Sequence, residues 1–136
     1  METREPQPIN TAETHDVFSV IVADDDDNVR TALASLLDEH DGLHLVGLTD
    51  SGSGAADLCA DVHPELAVVD VMMPAGGCDA VAAIRQVSPD TIVVAYTARG
   101  DRHTRHQLVE CGMTEVFVKG GGVDLSTALY DLMQRA

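Results

Sequence analysis

The sequence predicts an α/β domain, a doubly wound parallel sheet of five strands carrying five helices. Three observations predict it. Short apolar runs alternate with stretches of helical periodicity five times. The third run, Leu66–Val69, is apolar throughout, as expected of a strand covered on both faces. Four runs also stop at polar residues: Phe18–Ala23 at Asp24-Asp25, Leu66–Val69 at Asp70, Thr91–Tyr96 at Thr97, and Val116–Val118 at Lys119, the only lysine in the chain. Strict β/α alternation puts helices on both faces of a parallel sheet. Ligands then bind beyond the carboxyl ends of the strands, where these polar residues gather.

Each element has its own signal. Strand one is Phe18–Ala23. Helix one carries Val29, Ala32, Leu33, Leu36, Leu37 and His40 at helical spacing, with Asp26, Asp27 or Asn28 able to cap its amides, and Gly42 stops it. Strand two is about His44–Leu48. Helix two places Ala55, Leu58, Cys59 and Val62 on one face and ends before Pro64. Strand three is Leu66–Val69, and the loop after it, Met72-Met73-Pro74-Ala75-Gly76-Gly77, is rich in turn residues. Helix three is about Asp79–Val87, strand four Thr91–Tyr96, helix four Asp101–Cys111 and strand five Val116–Val118. Helix five begins near Asp124, with Leu125, Ala128, Leu129, Leu132 and Met133 inward.

Residues 1–16 are polar, contain two prolines and lack an apolar signal core, so they read as a flexible N-terminal tail. Residues 17–136 read as one domain, long enough for a sizeable core. Aromatic content of 3% against 45% hydrophobic residues means that aliphatic side chains build that core. The formal net charge is −15 with only eight lysines and arginines, which argues against direct binding of nucleic acid or an anionic membrane. No apolar run approaches the roughly 18 residues of a membrane span. Cys59, Cys78 and Cys111 are odd in number and scattered, which reads as reduced thiols in a cytoplasmic protein.

Asp24–Asp27 alone reads as a solvated, helix-capping charge run. Asp70 changes that reading, because an aspartate ending a buried strand has no capping duty. Together Asp24, Asp25 and Asp70 would repel unless one stayed protonated or a cation joined them. Mg²⁺ favours such oxygen ligands. Lys119 would neutralise an anion held beside the metal, and Thr97 would offer it a hydroxyl. His103 and His106 form an H-x-x-H pair near Cys111, but the adjoining Arg102 and Arg105 favour a polar helix face over a zinc site.

In this setting the chain resembles a response-regulator receiver domain of two-component signalling, of the CheY-like superfamily. The resemblance covers about Phe18–Arg135. It rests on V-I-V-A-D-D followed by Arg30, on V-V-D-V-M-M-P around Asp70, on Thr97-Ala98, and on V-F-V-K ending at Lys119. It implies a flavodoxin-like sheet of order 2-1-3-4-5. It implies that Asp70 is the phosphoacceptor, with Thr97 as switch hydroxyl and Lys119 as charge partner. Mg²⁺ would be held by Asp25 directly, Asp24 through water, Asp70, and the backbone carbonyl of Met72. The implied donor is a sensor histidine kinase or phosphotransfer protein. The implied output is a switched face of helix four, strand five and helix five, in a stand-alone receiver or the front part of a longer transcriptional regulator. The only chemistry implied is self-catalysed phosphoryl transfer to Asp70 and its hydrolysis.

Three departures stand out: Val116 where an aromatic is usual, Gly120 where proline is common, and Gly76-Gly77-Cys78 where Asp-Gly is frequent. Strand alternation puts Phe117 on the face opposite Val116. Helix four is thinly apolar, with Thr104, Leu108 and Cys111 as its stripe. Its basic residues, Arg102 and Arg105 among them, suit a homodimer or output partner. Two other readings compete: a receiver-like scaffold that is never phosphorylated, and a HAD-type phosphatase using the D-x-D of Asp24–Asp26.

Overall fold

The computed structural model describes residues 16–122 and 124–136. Five strands, β1 (Phe18–Ala23), β2 (Leu43–Thr49), β3 (Leu66–Val69), β4 (Ile92–Thr97) and β5 (Glu115–Val118), form one parallel sheet in the order β2-β1-β3-β4-β5. The helices are α1 (Asp27–Asp38), α2 (Gly52–Val62), α3 (Cys78–Val87), α4 (Arg102–Glu110) and α5 (Leu125–Arg135). This is the flavodoxin-like order implied by the resemblance. The predicted tail lies outside the described residues apart from Asp16. Among the described residues, no helix is long and apolar enough to cross a membrane.

Strand alternation divides the core in two. Ile21, Ala23, Ala67, Val69, Val93, Ala95 and Val116 face one side and pack with α2, α3 and α4 through Ala55, Cys59, Val81, Ile84 and Leu108. Val20, Val22, Leu66, Val68 and Val94 face the other and pack with α1 and α5 through Leu33, Leu37, Leu125 and Leu129. Phe117 joins this second cluster, opposite Val116, as the pleat requires.

Element ends differ from the sequence reading by about one residue. Strand β4 starts after Thr91, whose hydroxyl donates to the Pro64 carbonyl at 2.6 Å and accepts from Ser88 at 2.6 Å, anchoring a buried turn instead of a strand. At its other end the strand takes in Thr97, whose carbonyl accepts from the Lys119 amide at 2.8 Å. Side-chain caps fix several helix starts: Asp26 accepts from the Asn28 and Val29 amides for α1, Ser51 from Gly54 for α2, Asp101 from Thr104 for α4, and Asp124 from Thr127 for α5.

The expectation of three free thiols is corrected. Cys78 and Cys111 form a disulfide, with their Cα atoms 5.7 Å apart and a sequence separation of 33. No spacing rule links them. They meet because α3 and α4 pack on the same sheet face, which places the start of one beside the end of the other. Cys59 is free and buried in the core, where burial pushes its thiol up to about 11.

The loop from Val71 to Gly77 is braced against α2. The Gly52 amide donates to the Pro74 carbonyl at 3.0 Å, and Ala75 adopts a left-handed backbone with φ of 55°. A Cβ at Gly52 would fall on the Ala75 carbonyl. Gly52→Ala should therefore lower stability in urea denaturation by about 1–3 kcal/mol, the usual cost of forcing an extra carbon into a packed site. It should also speed amide exchange across residues 71–77. An unchanged midpoint would show that the loop yields without cost.

Candidate functional site

Strand register builds the site. Ala23 pairs with Val69 across β1 and β3, so the next residue of each strand, Asp24 and Asp70, emerges at the same edge. The Asp70 amide donates to the Ala23 carbonyl at 2.9 Å, and the Asp24 amide to the Thr49 carbonyl at 3.0 Å. On the other side, Thr97 pairs with Val118 across β4 and β5, which delivers Lys119 to that edge. Oxygens of Asp24, Asp25 and Asp70 lie within 4.8 Å of one another, the one grouping of metal-ligating side chains found among the described residues.

These residues are not equivalent. Asp24 and Asp70 are 2% and 4% exposed, whereas Asp25 faces solvent. The Lys119 ammonium lies 2.7 Å from Asp24 Oδ2 and 3.4 Å from Asp70 Oδ2. Asp70 Oδ1 accepts from the Met72 amide at 3.1 Å. The amide of Asp26 donates to Asp24 Oδ1 at 2.9 Å, and Arg30 Nη1 to the Asp24 carbonyl at 2.7 Å. Arg30 also pairs with Asp27. Its role as a clamp on the Asp24 backbone is one that sequence spacing alone does not reveal. Tyr96 is likewise unforeseen: its ring centroid sits 5.8 Å from the Lys119 ammonium.

Burial is the largest influence on Asp70 and raises its pKa, reinforced by the charge of Asp24. The Met72 amide and Lys119 work against this but do not reverse it. Burial acts to lower Lys119, yet its hydrogen bond to Asp24 and the charges of Asp70 and Asp24 outweigh burial and raise it. One ammonium thus faces three carboxylates, and Asp70 in particular is unfavourable when ionised. An oxygen-loving divalent cation fits this donor set.

Thr97 is wholly buried, and its hydroxyl accepts from the Arg99 amide at 3.1 Å. The expected switch hydroxyl is therefore tied to the loop that leads into α4. Gly120 has a φ of 74°, a conformation closed to proline, which accounts for that departure in the turn after Lys119. The H-x-x-H pair makes no metal site: Cys111 is committed to the disulfide, and His106 Nε2 lies 3.7 Å from Glu110 Oε2. Asp26, the second acid of the D-x-D, caps α1.

Because the folded pKa of Asp70 is raised, stability falls as pH rises from the unfolded carboxylate value through the folded one. Above that window the full cost is present. Asp70→Asn should therefore melt higher than wild type at pH 7 in metal-free buffer, with the difference vanishing below about pH 4, where both states carry a protonated Asp70. Paired thermal melts across pH check this. A wild type more stable than the variant at pH 7 would mean that Lys119 more than compensates for burial.

The chain matches the response regulator receiver domain family over residues 20–129. It is 34% identical over 108 residues to response regulator GacA of Pseudomonas viridiflava, covering 79% of this chain and 50% of that protein. It is 33% identical over 111 residues to a protein-glutamate methylesterase/protein-glutamine glutaminase of Halobacterium salinarum, covering 80% of this chain and 31% of that one. Among solved structures, a signal receiver domain from Mycobacterium tuberculosis superposes with a TM-score of 0.82 at 23% identity, covering 90% of this chain and 100% of the other. A LuxR-family two-component response regulator from Aurantimonas sp. SI85-9A1 gives a TM-score of 0.81 at 21% identity, covering 88% and 86%. The two structures speak to fold, and the sequence matches carry the kinship. The fold, the carboxylate edge and these matches together make the chain a member of the response regulator receiver family of two-component signalling.

Proposed function

We propose that the chain is a phosphorylatable switch that accepts a phosphoryl group on Asp70, with Mg²⁺ held by Asp24, Asp25, Asp70 and the Met72 carbonyl. The observation that carries this reading is the position of buried Asp70, 3.4 Å from the chain's only lysine and within 4.8 Å of two further carboxylates. Bound Mg²⁺ would supply neutralising charge to the transferring group. The donor is a phosphohistidine of a sensor kinase or phosphotransfer protein, or a small phosphodonor, encountered in the cytoplasm. An Asp70 carboxylate oxygen bonds to phosphorus while the bond from phosphorus to the donor nitrogen breaks. The electron pair leaves with the histidine nitrogen, which takes up a proton in water. Water later attacks the acyl phosphate, regenerating the carboxylate and releasing inorganic phosphate. Asp70 needs no separate base, because it reacts ionised, and positioning and electrostatics supply the rate.

Lys119 serves this transfer. In the resting state it bridges Asp24 and Asp70, offsetting their mutual repulsion, and it can turn its remaining proton toward a phosphoryl oxygen. An Asp-nucleophile phosphatase would need Asp26 as a second catalytic acid, and Asp26 is spent on the first amides of α1.

The route outward runs through Thr97. If its hydroxyl turns toward a phosphorylated Asp70, the Arg99 amide loses its acceptor. Arg99 Nε lies 3.4 Å from Asp101, and Asp101 caps α4 through the Thr104 amide and hydroxyl, bonds that hold its carboxyl down at about 2. Arg105 donates to the Gly100 carbonyl at 3.2 Å. The loop 98–101 and the first turn of α4 thus form one hydrogen-bonded unit hung on Thr97. Val116 is buried beside Ala95, Leu108 and Met113 and offers no aromatic rotamer to carry the signal. Only Leu108 of α4 is buried, so the helix can shift at low cost, presenting exposed Arg102 and Arg105 to an output partner or a second copy.

Three outcomes test the reading. Acetyl phosphate with Mg²⁺ should add one phosphoryl group, seen by mass spectrometry, in wild type and not in Asp70→Asn; equal modification of both would sink the assignment. Mg²⁺ should stabilise wild type in melting curves by about 1.4 kcal/mol at ten times its dissociation constant, and Asp25→Asn should lose most of that gain. Thr97→Ala should still bind beryllofluoride at Asp70 but lose the change in hydrogen exchange across Ala98–Cys111. A normal response in that variant would route the signal elsewhere.

A further inference from the structure

We propose that Cys78 and Cys111 are a reversible redox modification site, whose disulfide, closed by low-molecular-weight disulfides such as that of glutathione, clamps the end of α4 to the start of α3. Cys78 is the first residue of α3, directly after the loop that leaves Asp70, and Cys111 is the C-cap of α4. Their Cα separation of 5.7 Å lies within the range a disulfide spans without backbone movement. The closed loop takes in β4, Thr97, residues 98–101 and all of α4, so every part of the proposed output route lies inside it.

Access and reactivity single this pair out. Cys78 is exposed and Cys111 half-buried, so a small thiol or disulfide reaches the Cys78 sulfur from solvent. Cys59 has no exposure and a raised pKa, and takes no part. In the open form, the Cys78 thiol sits at the first turn of α3, where Gly77 provides no side-chain cap for the amides. Free amides there favour a thiolate, with Asp79 in the same turn as the opposing charge. Arg85, in the last turn of α3, donates to the Gly112 carbonyl at 3.4 Å, a contact independent of the disulfide that holds the residue after Cys111 against α3. In a cytoplasmic protein, a disulfide so placed is of the transient, sensing kind.

Closure balances as thiol–disulfide exchange. The Cys78 thiolate attacks one sulfur of the small disulfide, forming a mixed disulfide and expelling one small thiolate. The Cys111 thiolate then attacks the Cys78 sulfur and expels the second. The pair gives up two electrons, the small disulfide gains them, and the two protein protons end on two small thiols. Opening is the reverse. The consequence for signalling rests on the reading of Asp70 and Thr97 given above; the exchange chemistry does not. With the clamp closed, α4 is held at its C-terminal end as well as through Thr97.

The test uses the full chain, equilibrated without oxygen in buffers of varying reduced to oxidised glutathione, then alkylated and mapped by mass spectrometry. A single two-electron transition should link dithiol to the Cys78–Cys111 disulfide, with Cys59 unchanged. A pair that stays closed in millimolar reduced glutathione, stays open in millimolar glutathione disulfide, or stops at a capped Cys78 would overturn the proposal. Closure should slow amide exchange across residues 102–112 by about tenfold, as for a segment losing its cheapest local opening. Cys78→Ser should exchange like reduced wild type in both buffers. Equal exchange in the two redox forms would remove the clamp. With Mg²⁺ and beryllofluoride, the reduced form should respond across Ala98–Cys111 severalfold more than the oxidised form, and equal responses would break the link to signalling. If beryllofluoride moves neither form, the Asp70 reading fails, while the clamp still stands or falls on the exchange measured without it.

Discussion

Two carboxylates buried at one sheet edge against a single ammonium set the terms for everything around them. Asp24 and Asp70 are nearly inaccessible, and Lys119 touches both. Burying a charge is costly unless it is paired and hydrogen-bonded. Each oxygen therefore has a partner: the Asp26 amide and Lys119 for Asp24, the Met72 amide and Lys119 for Asp70. The pairing is still one positive charge short, and burial, reinforced by the charge of Asp24, leaves the pKa of Asp70 raised. An edge built this way gains stability when a further positive charge completes it.

That electrostatic demand explains why the surroundings are held so firmly. Arg30 fixes the Asp24 carbonyl, and the α1 cap at Asp26 fixes the chain beyond it. The loop after Asp70 rests on α2 at Gly52 so closely that no side chain fits there. If the proposed transfer takes place here, its rate depends on positioning to within a fraction of an ångström, which loops alone do not provide. Here the strand register provides it, since Ala23 opposite Val69 and Thr97 opposite Val118 settle where Asp24, Asp70 and Lys119 emerge.

Much of this is legible in the chain before it folds. Leu66–Val69 is readable as a doubly covered strand because parallel sheets leave no polar alternation, and the polar residues at four strand ends follow from alternation alone. Phe117 and Val116 fall on opposite faces because the pleat has a period of two. What sequence could not yield are contacts set by how particular side chains and loops pack. Arg30 on Asp24, Tyr96 beside Lys119, and the Arg99 amide on Thr97 depend on side-chain rotamers and loop paths. The Cys78–Cys111 bond escaped for a different reason: an odd count of scattered cysteines carries no pairing signal, and only the shared sheet face of α3 and α4 brings two of them together.

The helix with the fewest buried residues is also linked to the site, through Thr97. Helix α4 buries a single residue, Leu108, so packing contributes little to holding it. Its position is set from its two ends, by the Asp101 cap linked through Arg99 to Thr97, and by Cys111 linked to Cys78. In the switch proposed above, a helix held in this way would respond to whichever end is released. At one end the restraint is a single hydrogen bond, which a neighbouring anion can compete for; at the other it is a covalent bond that only thiol chemistry opens. With one buried residue its apolar face does little to impose an orientation, so in the switch proposed above small chemical events at either end would suffice to reposition it.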